Sequence, residues 1–320
     1  MLTRRTALGA MIGLVTVRGS HAQSFPSRPI TIVVPYPAGG PVDVTARLIA
    51  QSVGTTLGQP MTVDNRGGGA GVIGSVAVQH AEPDGYTLIL GTNTPNSAAP
   101  SLMKSISYDP VRDFAPLSRI GSFTQMLVLH PDLPVKSVPE LVAHAKANPG
   151  KLSFASGNAS GVVAGETLKR WAGLDIVHVP YRSAPPALND VLGGRVSMMF
   201  TDLTTGLPHV KAGTLRALAT TRLQRSTLFP ELPSLHEAGI TNFDMDSWAG
   251  MFAPANIPPE IVTRLSAELR KIIDDSDVRG RLGALGFEAF SSTPEELGEF
   301  VKVQLVKWTR MIKDAGIEPE

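Results

Sequence analysis

Cysteine is absent from the 320 residues. That excludes a disulfide framework, a thiol nucleophile, an iron–sulfur cluster and a thiolate zinc site. It also excludes a lipid-anchored export form, which needs a cysteine at its cleavage point. Charge of one sign is lacking too: 29 Lys and Arg against 28 Asp and Glu leave a formal +1, no footprint for nucleic acid. Beyond the first residues no run approaches the ~18 apolar residues of a membrane-spanning helix. There is no G-x-S-x-G elbow for a hydrolytic serine. His80, His130, His144, His178, His209 and His236 are scattered, with no pair three or four apart as a helical metal site would need. No pair of carboxylates suggests glycosidase chemistry, and no cofactor is expected.

What is present begins with an export layout. Arg4 and Arg5 precede a near-uncharged run from Thr6 to Val17, and Ser20-His21-Ala22 supplies small residues at −3 and −1. This reads as a cleaved signal peptide over 1–22, with both the Sec and the twin-arginine routes open. Its apolar run falls short of the ~20 residues that a permanent span requires. The exported protein is expected in the periplasm.

Strand and helix then alternate. Ile30–Val34 is a β-branched run without alternation, as a strand buried on both faces should be. Pro41 opens a helix over Val42–Val53, Met61–Val63 is a second strand, a glycine loop leads into a helix ending near His80, and Tyr86–Leu90 is a third strand. This βαβαβ order argues for a parallel sheet with helices on both faces. Strands at Met126–Leu129, Leu152–Ala155, Ile176–Val179, Val196–Phe200 and Leu215–Ala219 repeat the style, with helices at Val138–Ala147, Gly165–Ala172 and Ala187–Leu192. The end is helical, Thr293-Pro-Glu-Glu296 combining a capping box with proline at N1.

The literal G-x-G-x-x-G at Gly69-Ala-Gly71-Val-Ile-Gly74 follows the second strand of the unit, and the next strand ends in Gly91-Thr92-Asn93 without the acid that a ribose needs. A tight turn into a helix explains it better. Polar or glycine-bearing segments between strand and helix are more informative: Ala38-Gly39-Gly40, Thr92–Asn96, Ser156–Ser160 and Tyr181–Ala184. Such loops sit at the carboxyl ends of strands, where open α/β sheets bind ligands. Unpaired N–H groups at a helix start favour an anion such as a carboxylate.

The runs PYPAGGPVDVTARLIA (Pro35–Ala50), VDNRGGGAGVIGS (Val63–Ser75), PDGYTLILGTNT (Pro83–Thr94), VHVPYRSAPPALNDVLGGRVSMMF (Val177–Phe200) and LPSLHEAG (Leu232–Gly239) resemble the Bug family. These are the extracytoplasmic solute receptors of tripartite tricarboxylate transporters, and the likeness covers essentially the whole chain after the signal. The resemblance implies an α/β, two-lobed periplasmic-binding-protein fold of type II-like design, each lobe a mainly parallel sheet flanked by helices. Residues 23–124 plus 247–320 would form lobe 1 and residues 125–246 lobe 2, with the ligand between them and hinges near Ser122–Gln125 and Phe243–Trp248. It also implies capture of a small organic acid (a di- or tricarboxylate, an aromatic carboxylate or similar) by a monomer that hands it to the transporter's membrane subunits. The site residues carried over are Ala38, Gly39, Gly40 and Asp43 from the first loop, Asn93 and Thr94 from the third strand's end, and Ser156, Asn158, Ser160, Tyr181 and Asp202 from the later motifs.

Several roles stay open at this stage. Asp43 either contacts ligand or steadies the first helix's dipole, and Arg47 reads as a structural residue on that helix. Asp202 either accepts from a ligand amine or hydroxyl or binds loop N–H groups. Trp248 either lines the cleft or packs near the crossing. The chain departs from the family where Ala159 replaces a glycine and Val162-Val163 stand in place of a histidine, so a ligand with an apolar body is expected. A same-fold sensor signalling to a membrane kinase and an exported hydrolase using Ser160 are the alternatives.

Overall fold

The computed structural model describes residues 25–319; the signal peptide expected at 1–22 lies outside them. In chain order, β1 (Ile30–Val34), α1 (Pro41–Leu57), β2 (Met61–Asn65), α2 (Val72–Gln79) and β3 (Thr87–Thr92) begin a first sheet. A π-helical turn at Thr94–Ala98 runs into the short α3 (Ala99–Leu102), and β4 (Phe114–Phe123) follows. A second sheet is built from β5 (Gln125–Leu129), α4 (Val138–Ala147), β6 (Ser153–Ser156), α5 (Ala159–Ala172), β7 (Val177–Pro180), α6 (Ala184–Leu192), β8 (Met198–Asp202), α7 (Leu203–Lys211) and β9 (Arg216–Thr220). The chain then returns to the first sheet with β10 (Ser247–Pro254), α8 (Pro259–Ile273), α9 (Ser276–Ala284) and β11 (Phe287–Ala289), and ends in α10 (Pro294–Asp314).

Local chemistry accounts for the element ends. Proline occupies the first turn of α1, whose last turn closes on Gly58 in the left-handed region. Thr293 and Glu296 form the expected capping box on α10. In β1, Ile30, Ile32 and Val34 pack toward α1 and α8, while Val33 faces the opposite core with Val78, Trp248 and Val301. The unalternating run therefore marks a strand covered on both sides.

The two sheets run β11-β4-β10-β3-β1-β2 and β7-β6-β8-β5-β9. The two-sheet α/β architecture matches the resemblance, but "mainly parallel" needs correction. β1 pairs in parallel with β2 and β3, and β6 with β7 and β8, whereas β10, β4, β11, β5 and β9 add antiparallel ladders. The cause is topological: a chain leaving one sheet from the end where its parallel strands finish enters the next sheet from that same end, so its first strand runs backwards. Two of these strands, β4 and β10, carry no clear periodicity. Pro116, Ser118 and Gly121 interrupt β4, its register against β10 shifts twice, and Gly121 has φ 144°, at a point where a Cβ would lie 2.2 Å from the Glu288 carbonyl oxygen.

The chain crosses between sheets at Thr124 and again between Met245, which packs in the second lobe's core, and Ser247, which starts β10. The boundary expected at 247–320 is corrected at its far end. Leu297 and Val301 of α10 pack in the first lobe, but Trp308 and Ile312 pack with Leu127, Phe154 and Leu168 of the second. A 21-residue helix is long enough to clamp both cores. At the crossings, Arg222 and Ser226 on the second lobe's side hold Glu288 of the edge strand β11 by an ion pair and a hydrogen bond. Arg119 lies between the rings of Phe300 (3.8 Å) and Phe290 (4.5 Å), where burial brings its guanidinium down to about 10. Trp248 is fully buried against Phe252 and Phe300, which decides its role in favour of packing.

Candidate functional site

Strand sense brings the candidate loops together. β1, β2 and β3 finish where β10 starts, and β6, β7 and β8 finish where β5 starts: Thr92 pairs with Ala249 and Asp202 with Gln125. Both crossings lie at these ends, so the carboxyl-end loops of one sheet meet those of the other. The contact is direct. Asn93 Nδ2 of the first lobe donates to Ser160 Oγ of the second at 2.8 Å, and both residues are buried.

The β1–α1 loop is held from inside. Asp43 is 3% exposed, and its carboxylate accepts from the Gly39 N–H (2.8 Å), from Asn65 Nδ2 (3.0 Å) and from Arg47 through Nε (3.0 Å) and Nη2 (2.9 Å). Asn65, at the end of β2, also donates to the Tyr36 carbonyl at 3.1 Å. Burial pushes the Asp43 carboxyl up, but the bonds from Arg47, Gly39 and Asn65 outweigh it and hold the group below the usual carboxylate range. Asp43 and the Gly39 N–H thus serve the loop, and Arg47 is structural, as read. Ala38 is exposed and Gly40 half-exposed, and behind them the N–H groups of Val42 and Asp43 in the first turn of α1 have no partner within the helix.

The glycine motif braces this loop. A Cβ on Gly74 would come within 2.9 Å of Pro35, and one on Gly71 within 3.2 Å of Pro95, so the turn at Gly69–Gly71 packs behind both the first loop and the π-helical turn. Asn93 and Thr94 sit at the head of that π-helical turn, both buried. Asn93 has a second partner that the sequence did not suggest: its Oδ1 accepts from Ser247 Oγ at 2.7 Å.

On the second lobe, Asn158 caps α5 by accepting from the Gly161 N–H at 2.8 Å. Ser156 Oγ lies 2.6 Å from His178 Nε2, and the imidazole stacks on Phe154 with centroids 4.6 Å apart. His178 is therefore a half-buried, hydrogen-bonded histidine whose pKa burial lowers. The Gly157 Cα hydrogens face Ser183: a Cβ there would sit 2.3 Å from the Ser183 carbonyl carbon, which brings the α6 start against this loop. The hydrogen-bond partner of the Ser160 hydroxyl is the Asn93 amide.

The polar atoms of Tyr181 and Asp202 bond within their own lobe. The Tyr181 hydroxyl donates to Asp190 on α6, which Arg195 also holds. Asp202 caps α7, accepting from the Thr205 N–H at 2.8 Å, which realises the loop-binding alternative; burial raises its pKa. Of the two valines that stand in place of the family's histidine, Val163 is buried in the second lobe's core and Val162 is partly accessible. Among the described residues no group of three His, Asp or Glu side chains is placed to hold a metal ion, and no helix is long and apolar enough to cross a membrane.

Comparison with known proteins places this arrangement. The model of the tripartite tricarboxylate transporter family receptor matches residues 45–317. BugT of Bordetella pertussis (strain Tohama I) is 34% identical, the alignment covering 97% of this chain and 98% of BugT. Among solved structures, Rpa4515 of R. palustris with adipate is 32% identical with a TM-score of 0.88, over 92% of this chain and 100% of that one. MatC of Rhodopseudomonas palustris with bound malate is 31% identical with a TM-score of 0.81, over 90% of this chain and 100% of that one. On these grounds the chain belongs to the receptor family of tripartite tricarboxylate transporters, a family of periplasmic solute-binding proteins.

Proposed function

We propose that this receptor captures a small organic carboxylate between its two lobes and delivers it, as an exported monomer, to the membrane subunits of a tripartite tricarboxylate transporter. The observation that carries the reading is the Asn93–Ser160 contact, because it joins the end of β3 to the start of α5 across the junction. Ala38, Gly40 and the first turn of α1 offer main-chain N–H groups from one side. Ser156, Asn158 and Ser160 offer hydroxyls, an amide and the start of α5 from the other, and Asn93 and Thr94 close the floor. Donors fixed at two helix starts suit a carboxylate without an arginine clamp. Gly39 and Asp43 hold the first loop in shape, Tyr181 lines the rim, and Asp202 stands beside Gln125 at the inner end. Adipate and malate in the two relatives support a dicarboxylic acid of four to six carbons as ligand.

A ligand that touches both lobes favours the state in which they are closed, and that population shift is what a membrane partner reads. The test is a thermal-shift screen of residues 23–320 against di- and tricarboxylates, amino acids, aromatic acids and nicotinate. A ligand at 100 times its Kd stabilises the folded protein by about 2.7 kcal/mol, a rise of a few degrees. A dicarboxylate hit is the expected result; a protein that answers only to amino acids overturns the dicarboxylate assignment.

A further inference from the structure

We infer that Ser247, which belongs to no candidate loop, is a positioning residue that keeps the Ser160 hydroxyl proton free for the ligand carboxylate. The inference rests on the proposal that Asn93 and Ser160 meet that carboxylate. Ser247 opens β10 immediately after the second crossing, so it sits on the hinge side of the site. The three side chains form one chain of hydrogen bonds: Ser247 Oγ donates to Asn93 Oδ1 at 2.7 Å, and Asn93 Nδ2 donates to Ser160 Oγ at 2.8 Å.

Direction matters here because an anion needs donors. A carboxamide has one acceptor end and one donor end with two N–H groups, while a hydroxyl donates once. With Ser247 satisfying Oδ1, the amide points Nδ2 at Ser160. Ser160 then accepts through a lone pair and retains its proton, and one further N–H of Asn93 stays available. Without the Ser247 hydroxyl, Oδ1 of a residue only 1% exposed loses its donor. Leaving a buried acceptor unmade is costly, and the nearest remedy is rotation of the amide so that Oδ1 takes the Ser160 proton. The site then turns from donor to acceptor at the point where a negative charge must sit.

The experiment uses the protein purified from the periplasm and titrates adipate and malate by calorimetry. Ser247→Ala should raise Kd about tenfold, the worth of one hydrogen bond to a charged group. Ser247→Thr, which restores a hydroxyl on a strand-compatible side chain, should recover most of that loss. In a double-mutant cycle the effect of Ser247→Ala should vanish in a Ser160→Ala background, a coupling that a purely structural role would not produce. Wild-type protein that binds neither acid overturns the assignment of a four-to-six-carbon dicarboxylate, and the Ser247 role is then read without ligand. In that case the Asn93 side-chain amide is followed by 15N NMR, where Ser247→Ala should shift its resonances and Ser247→Thr should not. Equal affinity of wild type and Ser247→Ala, or unchanged Asn93 resonances, overturns the inference while leaving the receptor reading in place.

Discussion

The β1–α1 loop and the β6–α5 loop are both glycine-bearing passages from strand to helix, yet they are held in different ways. The first carries its own organiser: Asp43, four residues past Gly39, reaches back to the Gly39 N–H and takes Arg47 from its own helix and Asn65 from the next strand. The second depends on neighbours from elsewhere in the chain. His178 holds Ser156, the Ser183 backbone abuts Gly157, and Asn93 of the other lobe holds Ser160. The first face of the site is thus preformed, whereas the second is complete only when its sheet is assembled and the lobes have met. Under the proposed function, preorganised donors on one face would reduce the ordering cost of binding, and context-dependent donors on the other would make closure sensitive to the ligand.

The strongest way to break this contrast is Asp43→Ala. It leaves the Gly39 N–H, Asn65 and Arg47 without their shared acceptor, and a loss of about 3 kcal/mol in urea unfolding is expected, with carboxylate binding abolished. The same carboxylate sets an acid limb. Its pKa is lower folded than unfolded, so its stabilisation is fully present above the ordinary Asp value of about 4 and fades as pH falls through the lowered folded value. Asp43→Ala should flatten that limb in melts taken from pH 6 to pH 2.

A smaller effect separates the two faces further. Gly157→Ala forces a methyl against the Ser183–Ala184 backbone and should cost about 1–3 kcal/mol while weakening binding through the second face. Gly39→Ala meets open space but adopts φ 81°, and about 1–2 kcal/mol from that conformation alone is expected. Calorimetric Kd values beside unfolding curves for the pair test it; an unchanged Kd in Gly157→Ala would sever that packing from the second face of the site.

Asn158→Ala removes the cap of α5 and should lower stability by about 1 kcal/mol. If amide exchange rises across β1–α1 as well as α5, the second face is less self-contained than the hydrogen bonds indicate. The smallest effect is that of His178. Its folded pKa lies below the unfolded value of about 6.5, so nothing is lost above that pH, and stability declines as pH falls from there toward the lowered value. His178→Gln should remove this shallow slope and leave the Asp43 limb intact.

Legibility in the sequence followed the same divide. The first loop, the cap of α10, and the βαβαβ opening depend on residues close together in the chain, and local chemistry exposes them. Asp43's grip on its own loop was neither of the two readings open from sequence, ligand contact and the helix dipole, although acid and N–H stand only four residues apart. β4 and β10 were not legible, because prolines, glycines and serines break any pattern and their burial comes from strands more than a hundred residues distant. The partners of the Tyr181 and Asp202 polar atoms, Asp190 and the Thr205 N–H, depend on where α6 and α7 run against them. Ser247 gave no signal at all: its one distinguishing feature is a bond to a residue 154 positions away.

The sequence by itself determined the absence of thiol chemistry, the α/β class, the strand-to-helix loops and, through its motifs, the family. Those properties reside in composition, period and short spacing, each set by neighbours along the chain. Only the tertiary structure decided that β5, β10 and β11 run against the other strands of their sheets, that α10 clamps both cores, and that Asn93 joins Ser160 to Ser247. Such contacts arise where distant segments are forced together by burying both sheets, and a hydrogen bond between two distant side chains leaves no trace in the order of the residues between them.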